Sequence, residues 1–527
     1  MMKILVTDSI SEDGIEHLRR QPDFEVAYQS DLSPDDLLSE IRDADALIVR
    51  SKTKVTSDVI EAAQRLRVIG RAGAGVDNID QEAATRKGVV VMNTPGGNSV
   101  SVAEHAFALV LSLARKIPFA HASLRSGNWD KSGFVGQELQ NKTLGIVGLG
   151  KIGALLSQRA QAFHMKVIAF DPFVSEEHAA DLGVQLTTLD DLLSQSDFVS
   201  LHLPLNETTK GLIDADALKS MKKSAFLINT SRGGLVVEAD LADALESEHL
   251  AGAALDVFEE EPEIHSSLLS SDQTIVTPHI AGSTVEAQSK VGYEIAVQVA
   301  NYLQHEVILN AVNFPSMTSK EMEDLQPYVR LGEKLGSFIG QISQIRISEI
   351  GLRYYGELAE INYKPVSNYI LKAILKPILT EEVNQVNARN YAKERGISVI
   401  ETVSSRERSY SNLISIQLRS PQQMEWIEGA VLRQGALRLV SLDGIPVEAQ
   451  LDEHILLIRN QDKPGVIGQV GTILGEAKIN IASFVLGRDR GQPHAVGVVN
   501  TDSSVPEEVL DQIRTVSAVQ FARVIRL

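Results

Sequence analysis

Residues 143–163 read TLGIVGLGKIGALLSQRAQAF, and few folds accommodate them. A short β-branched run gives way to Gly148-x-Gly150-x-x-Gly153, with Lys151 inside the turn. Then Ile152, Leu155, Leu156, Ala160 and Phe163 recur at helical spacing. The glycines turn the chain, let backbone N–H groups approach a pyrophosphate, and let the helix lie close on its strand with its positive dipole end towards the phosphates. Eighteen residues past Gly153, at the end of the strand-like run KVIAF, stands Asp171. A carboxylate there accepts hydrogen bonds from the ribose hydroxyls of NAD and repels the 2′-phosphate of NADP. Together these features predict an NAD-binding βαβ unit of the Rossmann type. A second glycine-rich turn, GRAGAGVDN (70–78), has Asn78 in place of the third glycine and no matching acid downstream, so it reads as a tight strand exit.

The rest of the chain organises around that unit. From residue 3 to about 95, runs such as KILVTD, ALIVR, RVIGR and VVVMN alternate with helical stretches, as in a buried parallel sheet. The apolar helix pattern SVSVAEHAFALVLSLAR (99–115) leads into a loop near Gly127–Gly136 and six further strand-like runs: TLGIV, KVIAF, DFVSLHL, AFLIN, AGAALDV and TIVTP. A helical pattern over 284–304 needs a surface to lie on, and the first α/β half supplies one. The expected fold is α/β with two doubly wound parallel-sheet domains. A Rossmann-type domain over 99–283 is inserted in a flavodoxin-like, substrate-binding domain of 1–98 plus 284–312. An α+β intervening domain over 315–450 and a final unit over 453–527 follow. That unit runs HILLIRN, PGVIGQVGTILGEA, IASFVLG, turn RDRGQ, HAVGVVNT, PEEVLDQIRTV, AVQFARVIRL, a ferredoxin-like βαββαβ order.

Composition narrows the partners. A formal charge of −19 argues against nucleic acid and anionic membranes, which recruit lysine and arginine patches. With no cysteine there are no disulfides, thiolate metal sites or thiol nucleophiles, which suits a reducing compartment; no metal site is expected. The start MMKILVTDSI lacks the features of a targeting segment, and no uncharged apolar run approaches the roughly 18 residues of a membrane helix, so a cytoplasmic protein is expected.

In an open parallel sheet ligands bind beyond the carboxyl ends of the strands. Arg232 follows AFLIN, Glu261 follows AGAALDV and His279 follows TIVTP. A histidine suits proton transfer from a hydroxyl whose carbon loses hydride, a neighbouring carboxylate favours imidazolium, and an arginine fork clamps a carboxylate. Taken singly, each residue also reads as structural or solvated surface.

The motifs GLGKIG, NTSRGGLVVE, DVFEEEP and PHIAGST, in this order, resemble the D-2-hydroxyacid dehydrogenase family. The resemblance implies Arg232, Glu261 and His279 as catalytic residues, and Lys151, Ile152, Asp171, Thr230 and Asp256 as NAD contacts, Asp256 at the nicotinamide carboxamide. VRSKTKV, GRAGAGVDNID and NTPGGNSVSVAEH resemble the branch of that family that oxidises 3-phosphoglycerate to 3-phosphohydroxypyruvate in serine synthesis. It implies Arg50 and Lys52 at the substrate phosphate and Asn98 nearby. Arg50 and Lys52 read equally as solvated charge. Trp129 and Lys131, in GNWDKSGF, match a loop that in the family reaches towards the partner subunit's site.

The tail resembles an ACT domain, a regulatory module that commonly binds amino acids. This implies L-serine as an effector held by Asn460, Asp462 and Asn480, in a homodimer or homotetramer; Asp462 and Asn480 also read as turn stabilisers. Rival readings are a glyoxylate or hydroxypyruvate reductase of the same family, and an NAD-sensing binding protein resembling corepressors. Asp171→Ala is expected to relax the preference for NAD over NADP in steady-state kinetics; full discrimination in that variant would show the fingerprint misread.

Overall fold

The computed structural model describes residues 1–315, 319–356, 358, 362–379, 383–404, 410, 412–489, 491 and 493–527. Strands Met2–Val6, Phe24–Tyr28, Ala46–Val49, Val68–Arg71 and Val90–Met92 form a five-stranded parallel sheet in the order second, first, third, fourth, fifth. Its apolar runs are continuous because both faces are covered; every residue of Ala46–Val49 is buried. Helix Val285–His305 lies across one face, capped by Thr284, whose hydroxyl accepts from the Ala287 N–H. Two close approaches seat it. A Cβ on Gly14 would meet the Gly292 carbonyl oxygen at 2.6 Å, and one on Gly70 would meet Val299 and Ile295.

The second sheet has seven parallel strands, one more than expected. From one edge the order is Thr274–Val276, Gly252–Leu255, Phe226–Asn229, Phe198–Leu201, Thr143–Val147, Lys166–Phe170, Gln185–Leu186. The additional strand is two residues long, too short for any periodicity to announce. The order reverses between Phe198–Leu201 and Thr143–Val147, which opens a crevice at their carboxyl ends. Helix Ser99–Arg115 buries Ala103, Ala106, Val110 and Leu113 against this sheet. The chain then bends by 64° at Lys116, which is left-handed at φ 53°, into helix Ile117–Arg125, none of whose residues is buried. This second helix was missed because it lacks an apolar stripe that must be hidden. Among the described residues, no single helix is long and apolar enough to cross a membrane.

The segment after residue 319 is α+β. A six-stranded sheet runs Ser398–Ser404, Glu349–Gly356, Asn412–Arg419, Met424–Val431, Leu437–Leu442, Ile445–Gln450, the first pair parallel. Three of these strands, 398–404, 424–431 and 445–450, were not read from the sequence. Helices Ser319–Ile342 and Lys364–Leu375 pack closely because Gly336 and Gly340 recur on one face. Cβ atoms there would stand 2.8 and 2.6 Å from the carbonyl oxygens of Ile370 and Ile374. The last unit has strand order Ile481–Arg488, His494–Thr501, His454–Gln461, Val519–Arg526, the ferredoxin-like arrangement. Its first helix starts at Val466 with Gly465 as cap, leaving Pro464 in the loop. The turn expected over 488–492 lies partly outside the described residues.

Asn313 ties the returning chain to the edge of the first sheet. Its Oδ1 accepts from the Val91 N–H at 2.9 Å, and its Nδ2 donates to the Val89 carbonyl at 2.8 Å and to the Thr85 hydroxyl at 3.1 Å. Asn313→Ala leaves the Val91 N–H and the Val89 carbonyl short of partners. It is expected to destabilise that unit by about 2 kcal/mol, read as an earlier first transition in calorimetric unfolding.

Candidate active site

The dinucleotide turn has the expected form. Gly148, at φ 99°, sits where a Cβ would meet the His202 carbonyl oxygen at 2.5 Å. A Cβ on Gly153 would meet the Gly148 carbonyl oxygen at 2.3 Å, so this glycine lets helix Lys151–Ala162 lie on its strand. Gly150 caps that helix and faces open space, with nothing within 4 Å of its Cβ direction. Asp171 closes the turn: Oδ2 accepts from the Leu149 N–H and Oδ1 from the Phe173 N–H, both at 2.9 Å. Each oxygen retains acceptor capacity for a ribose hydroxyl. Thr230 is buried with its hydroxyl lacking a partner. An open cap above a glycine turn, a poised carboxylate and an orphaned hydroxyl together fit NAD. Lys151 reaches across the crevice to Gly96, at whose Cβ position its Nζ would stand 3.0 Å away.

Arg232, Glu261 and His279 come together at the strand ends. His279 Nδ1 lies 2.7 Å from Glu261 Oε2, and Glu261 Oε1 accepts from the Phe258 N–H at 3.0 Å. The hydrogen bond from Glu261 raises the imidazole pKa above its ordinary value, against the opposing effect of burial. For Glu261 itself burial pushes the pKa up, but the bonds from His279 and Phe258 outweigh it and hold the carboxyl below its ordinary range. His279 occupies a left-handed conformation, φ 52°, that a non-glycine residue adopts only when its surroundings impose it.

Asp256 imposes it. This fully buried carboxylate accepts from the Ile280 N–H and the Ala281 N–H at 2.8 Å each and from the Thr277 hydroxyl at 2.5 Å. His105 stands 3.6 Å from the same carboxylate. Burial opposes ionisation, yet the bonds from His105, Thr277, Ile280 and Ala281 keep the carboxyl below its usual pKa. Its contacts bracket His279, so within the chain Asp256 anchors the turn that carries it.

The opposite wall comes from the first sheet. Asp8 at the end of strand Met2–Val6 accepts from the N–H groups of Arg50 and Thr53, and Asn78 donates to the carbonyls of both residues at 2.7 Å. Loop 50–53 is thereby fixed, with Arg50 Nη1 donating to the Ser9 carbonyl. Arg71 lies outside the residues that the sequence singles out. Its Nε is buried without a partner, and burial together with the nearby Arg232 pushes its pKa down to about 10. It remains a cation at neutral pH, with the carboxylates of Asp77 and Asp8 near enough to oppose the downward shift. The signal that finds it is the one used for Arg232: a basic residue ending a parallel strand, here in the turn GRAGAGVDN.

Other expected residues stand elsewhere. Lys52 is exposed and ion-paired with Asp31. Asn98 precedes helix Ser99–Arg115 beside Gly282 of the catalytic turn. Trp129, 84% exposed, and Lys131 lie on the solvent-exposed surface. The tail residues do not meet within one chain. Asn460 is buried with its amide on the Gln461 carbonyl, and Asp462 faces Arg488 at 3.5 Å. Asn480 donates to Asp502 at the opposite end of strand Ile481–Arg488, roughly 25 Å away at about 3.3 Å per residue.

Three family models match the chain. These are the NAD-binding domain of D-isomer specific 2-hydroxyacid dehydrogenases over 107–281, the D-3-phosphoglycerate dehydrogenase intervening domain over 324–443, and the ACT domain over 454–518. The chain is 42% identical to D-3-phosphoglycerate dehydrogenase of Methanocaldococcus jannaschii over the full length of both. It is 40% identical to that of Synechocystis, covering all of this chain and 95% of the relative. Among solved structures, D-lactate dehydrogenase from Aquifex aeolicus complexed with NAD and lactic acid is 28% identical. It covers 59% of this chain and 100% of its own, with a TM-score of 0.53. With relatives of that identity matched from end to end, the chain belongs to the D-3-phosphoglycerate dehydrogenases, within the D-isomer specific 2-hydroxyacid dehydrogenase family.

Proposed function

We propose that the chain oxidises 3-phospho-D-glycerate to 3-phosphohydroxypyruvate with NAD, the entry step of phosphorylated L-serine synthesis. The observation that carries this reading is the Glu261–His279 pair facing Arg232 at the strand ends of a dinucleotide sheet, with Arg50 and Arg71 on the wall opposite. The turn 148–153, Asp171 and Thr230 hold NAD, which when bound accepts the hydride leaving C2 of the substrate. Arg232 clamps the substrate carboxylate. His279 takes the hydroxyl proton on its Nε2, and Glu261, bonded to Nδ1, fixes the ring and stabilises the imidazolium that results. Arg50 and Arg71 meet the phosphate, which an acidic chain must bind through a local cationic site. That wall favours this substrate over glyoxylate or hydroxypyruvate, which carry no phosphate. Within this reading, 1–98 with 284–312 binds substrate, 99–283 binds NAD, and the two C-terminal units regulate. A chain without cysteine fits a reducing cytoplasm.

The tail residues become one site when two copies meet. Strand Ile481–Arg488 is the outer strand of its sheet, and it runs parallel to His454–Gln461, since both are antiparallel to His494–Thr501. Antiparallel pairing of two such edges sets Asn480 of the partner subunit beside Arg488, and so beside Asp462. Serine would bridge the copies there, while Trp129 and Lys131 reach from one subunit towards the other's cleft.

His279→Ala is expected to lower kcat by about 10²- to 10⁴-fold with NAD affinity nearly unchanged. The proton acceptor must be neutral, so kcat/KM for oxidation should fall as pH drops through a value above the ordinary 6.5 of histidine. Glu261→Gln removes the cause of that raised pKa and should move the acidic limb to lower pH; an unmoved limb would remove His279 from the role of base. Millimolar serine is expected to slow the wild type in initial-rate assays and to act less on Asp462→Ala. Equal inhibition of both would place the serine site elsewhere.

A further inference from the structure

Arg232 belongs to the dinucleotide half, yet its guanidinium is seated by the substrate-binding half. Its Nε donates to Asp77 Oδ2 at 3.1 Å, and Nη2 stands 3.1 Å from the same oxygen. On the other flank Nη1 donates to the Ser231 carbonyl at 2.7 Å. The seat is cut to shape by Gly75, because a Cβ there would fall 2.1 Å from Nη2. The main chain beneath Arg232 is held as well, with Asn229 Nδ2 donating to the Arg232 carbonyl at 2.8 Å.

A guanidinium carries five N–H donors on three edges. Asp77 accepts from Nε and stands in ion-pair contact with Nη2, and the Ser231 carbonyl accepts one N–H of Nη1. With the Ser231 carbonyl on the inner N–H of Nη1, one N–H on each terminal nitrogen is left side by side on the Nη1/Nη2 edge. That is the fork a carboxylate accepts in bidentate fashion. We infer that Asp77, on the seat provided by Gly75, is a positioning residue for the reaction: it orients Arg232 from across the interdomain cleft so that the terminal edge of the guanidinium faces the substrate carboxylate. The inference rests on the reading of Arg232 as the carboxylate clamp.

Two consequences follow from the chemistry. Asp77 is 69% exposed at its side chain, so replacing it leaves the core of the fold alone. Because Asp77 and Arg232 come from different halves, the clamp is correctly aimed only when the halves stand in this relation. The turn GRAGAGVDN is therefore a substrate-recognition element: Arg71 meets the phosphate, Gly75 and Asp77 seat the catalytic arginine, and Asn78 fixes the loop that carries Arg50.

The test is steady-state kinetics with 3-phosphoglycerate on the full-length protein. Wild type, Asp77→Ala, Asp77→Asn, Gly75→Ala, Arg232→Ala and the double variant Asp77→Ala/Arg232→Ala are compared, with NAD affinity measured separately by fluorescence. Asp77→Ala should raise KM for 3-phosphoglycerate about tenfold, the scale of losing one charge-assisted hydrogen bond, while NAD affinity stays within about twofold. Asp77→Asn keeps an acceptor oxygen and should fall between the two, and Gly75→Ala should raise KM in the same sense by displacing Nη2. In the Arg232→Ala background, Asp77→Ala should add no further loss. An unchanged or lowered KM in Asp77→Ala overturns the inference, as does an equal loss in the Arg232→Ala background. A wild type that does not turn over 3-phosphoglycerate would instead overturn the proposed reaction.

Discussion

Two parallel sheets covered by helices on both faces leave their strand ends as the place where polar chemistry can gather, and this constraint organises the molecule. The chain passes from the first sheet to the second through 93–99 and returns through 277–285. The cross-cleft pair Asp77–Arg232 records that the carboxyl ends of both sheets face one another. The first sheet contributes Asp8, Arg50, Arg71 and Asp77 there. The second contributes the glycine turn, Asp171, Arg232 and His279. In the proposed reaction neither set is complete alone, because one wall would supply cations for an anionic substrate and the other the cofactor cradle and the proton acceptor.

The electrostatics of the cleft depend on burial as much as on charge. Asp256 stays ionised inside the protein because four donors converge on it, and two of them are the N–H groups immediately after His279. Its hydrogen bonds offset both its own desolvation and the strained turn of the histidine. Arg71 shows the opposite case. Its guanidinium is desolvated beside Arg232, and the carboxylates of Asp77 and Asp8 offset that cost only in part, since its pKa still falls.

Legibility in the sequence followed from how local each signal was. The turn 143–153 and Asp171 are read together because one βαβ unit contains them, and the Glu261–His279 pair because both residues close strands of one sheet. Arg71 and Asp77 are not legible in this way, because GRAGAGVDN fails as a dinucleotide fingerprint and then reads as a tight strand exit. Its side chains act through a contact 155 residues away in sequence, which no local pattern encodes. The pairing of Lys52 with Asp31 is likewise surface chemistry that spacing does not disclose. In the intervening segment, strands such as 398–404 alternate little and stand at an exposed edge, so the period that reveals a half-buried strand is weak there. Asp462 and Asn480 carry turn chemistry that a sequence can suggest, but their separation follows from strand direction, which appears only with the sheet order.

The cores show which half of the cleft the regulatory units can address. The apolar core behind the first sheet continues through Phe314, Leu325 and Tyr369 into the intervening segment, and through Leu457, Val498 and Ile525 into the last unit. The dinucleotide sheet instead has two cores of its own. Hydrogen bonds follow the same partition: Asn384 donates to the Gly88 carbonyl at the end of a first-sheet helix, and Gln341 donates to the Arg526 carbonyl between the intervening helix and the last strand. A packed core transmits displacement because its side chains have little free volume to absorb it. An effector that shifts the last unit therefore acts on the wall bearing Arg50, Arg71 and Asp77 rather than on the cofactor cradle. With Asp77 aiming Arg232 as proposed, a small rotation of that wall would alter the carboxylate clamp before it reached the cofactor cradle. Control exerted through this route falls on the substrate side of the reaction.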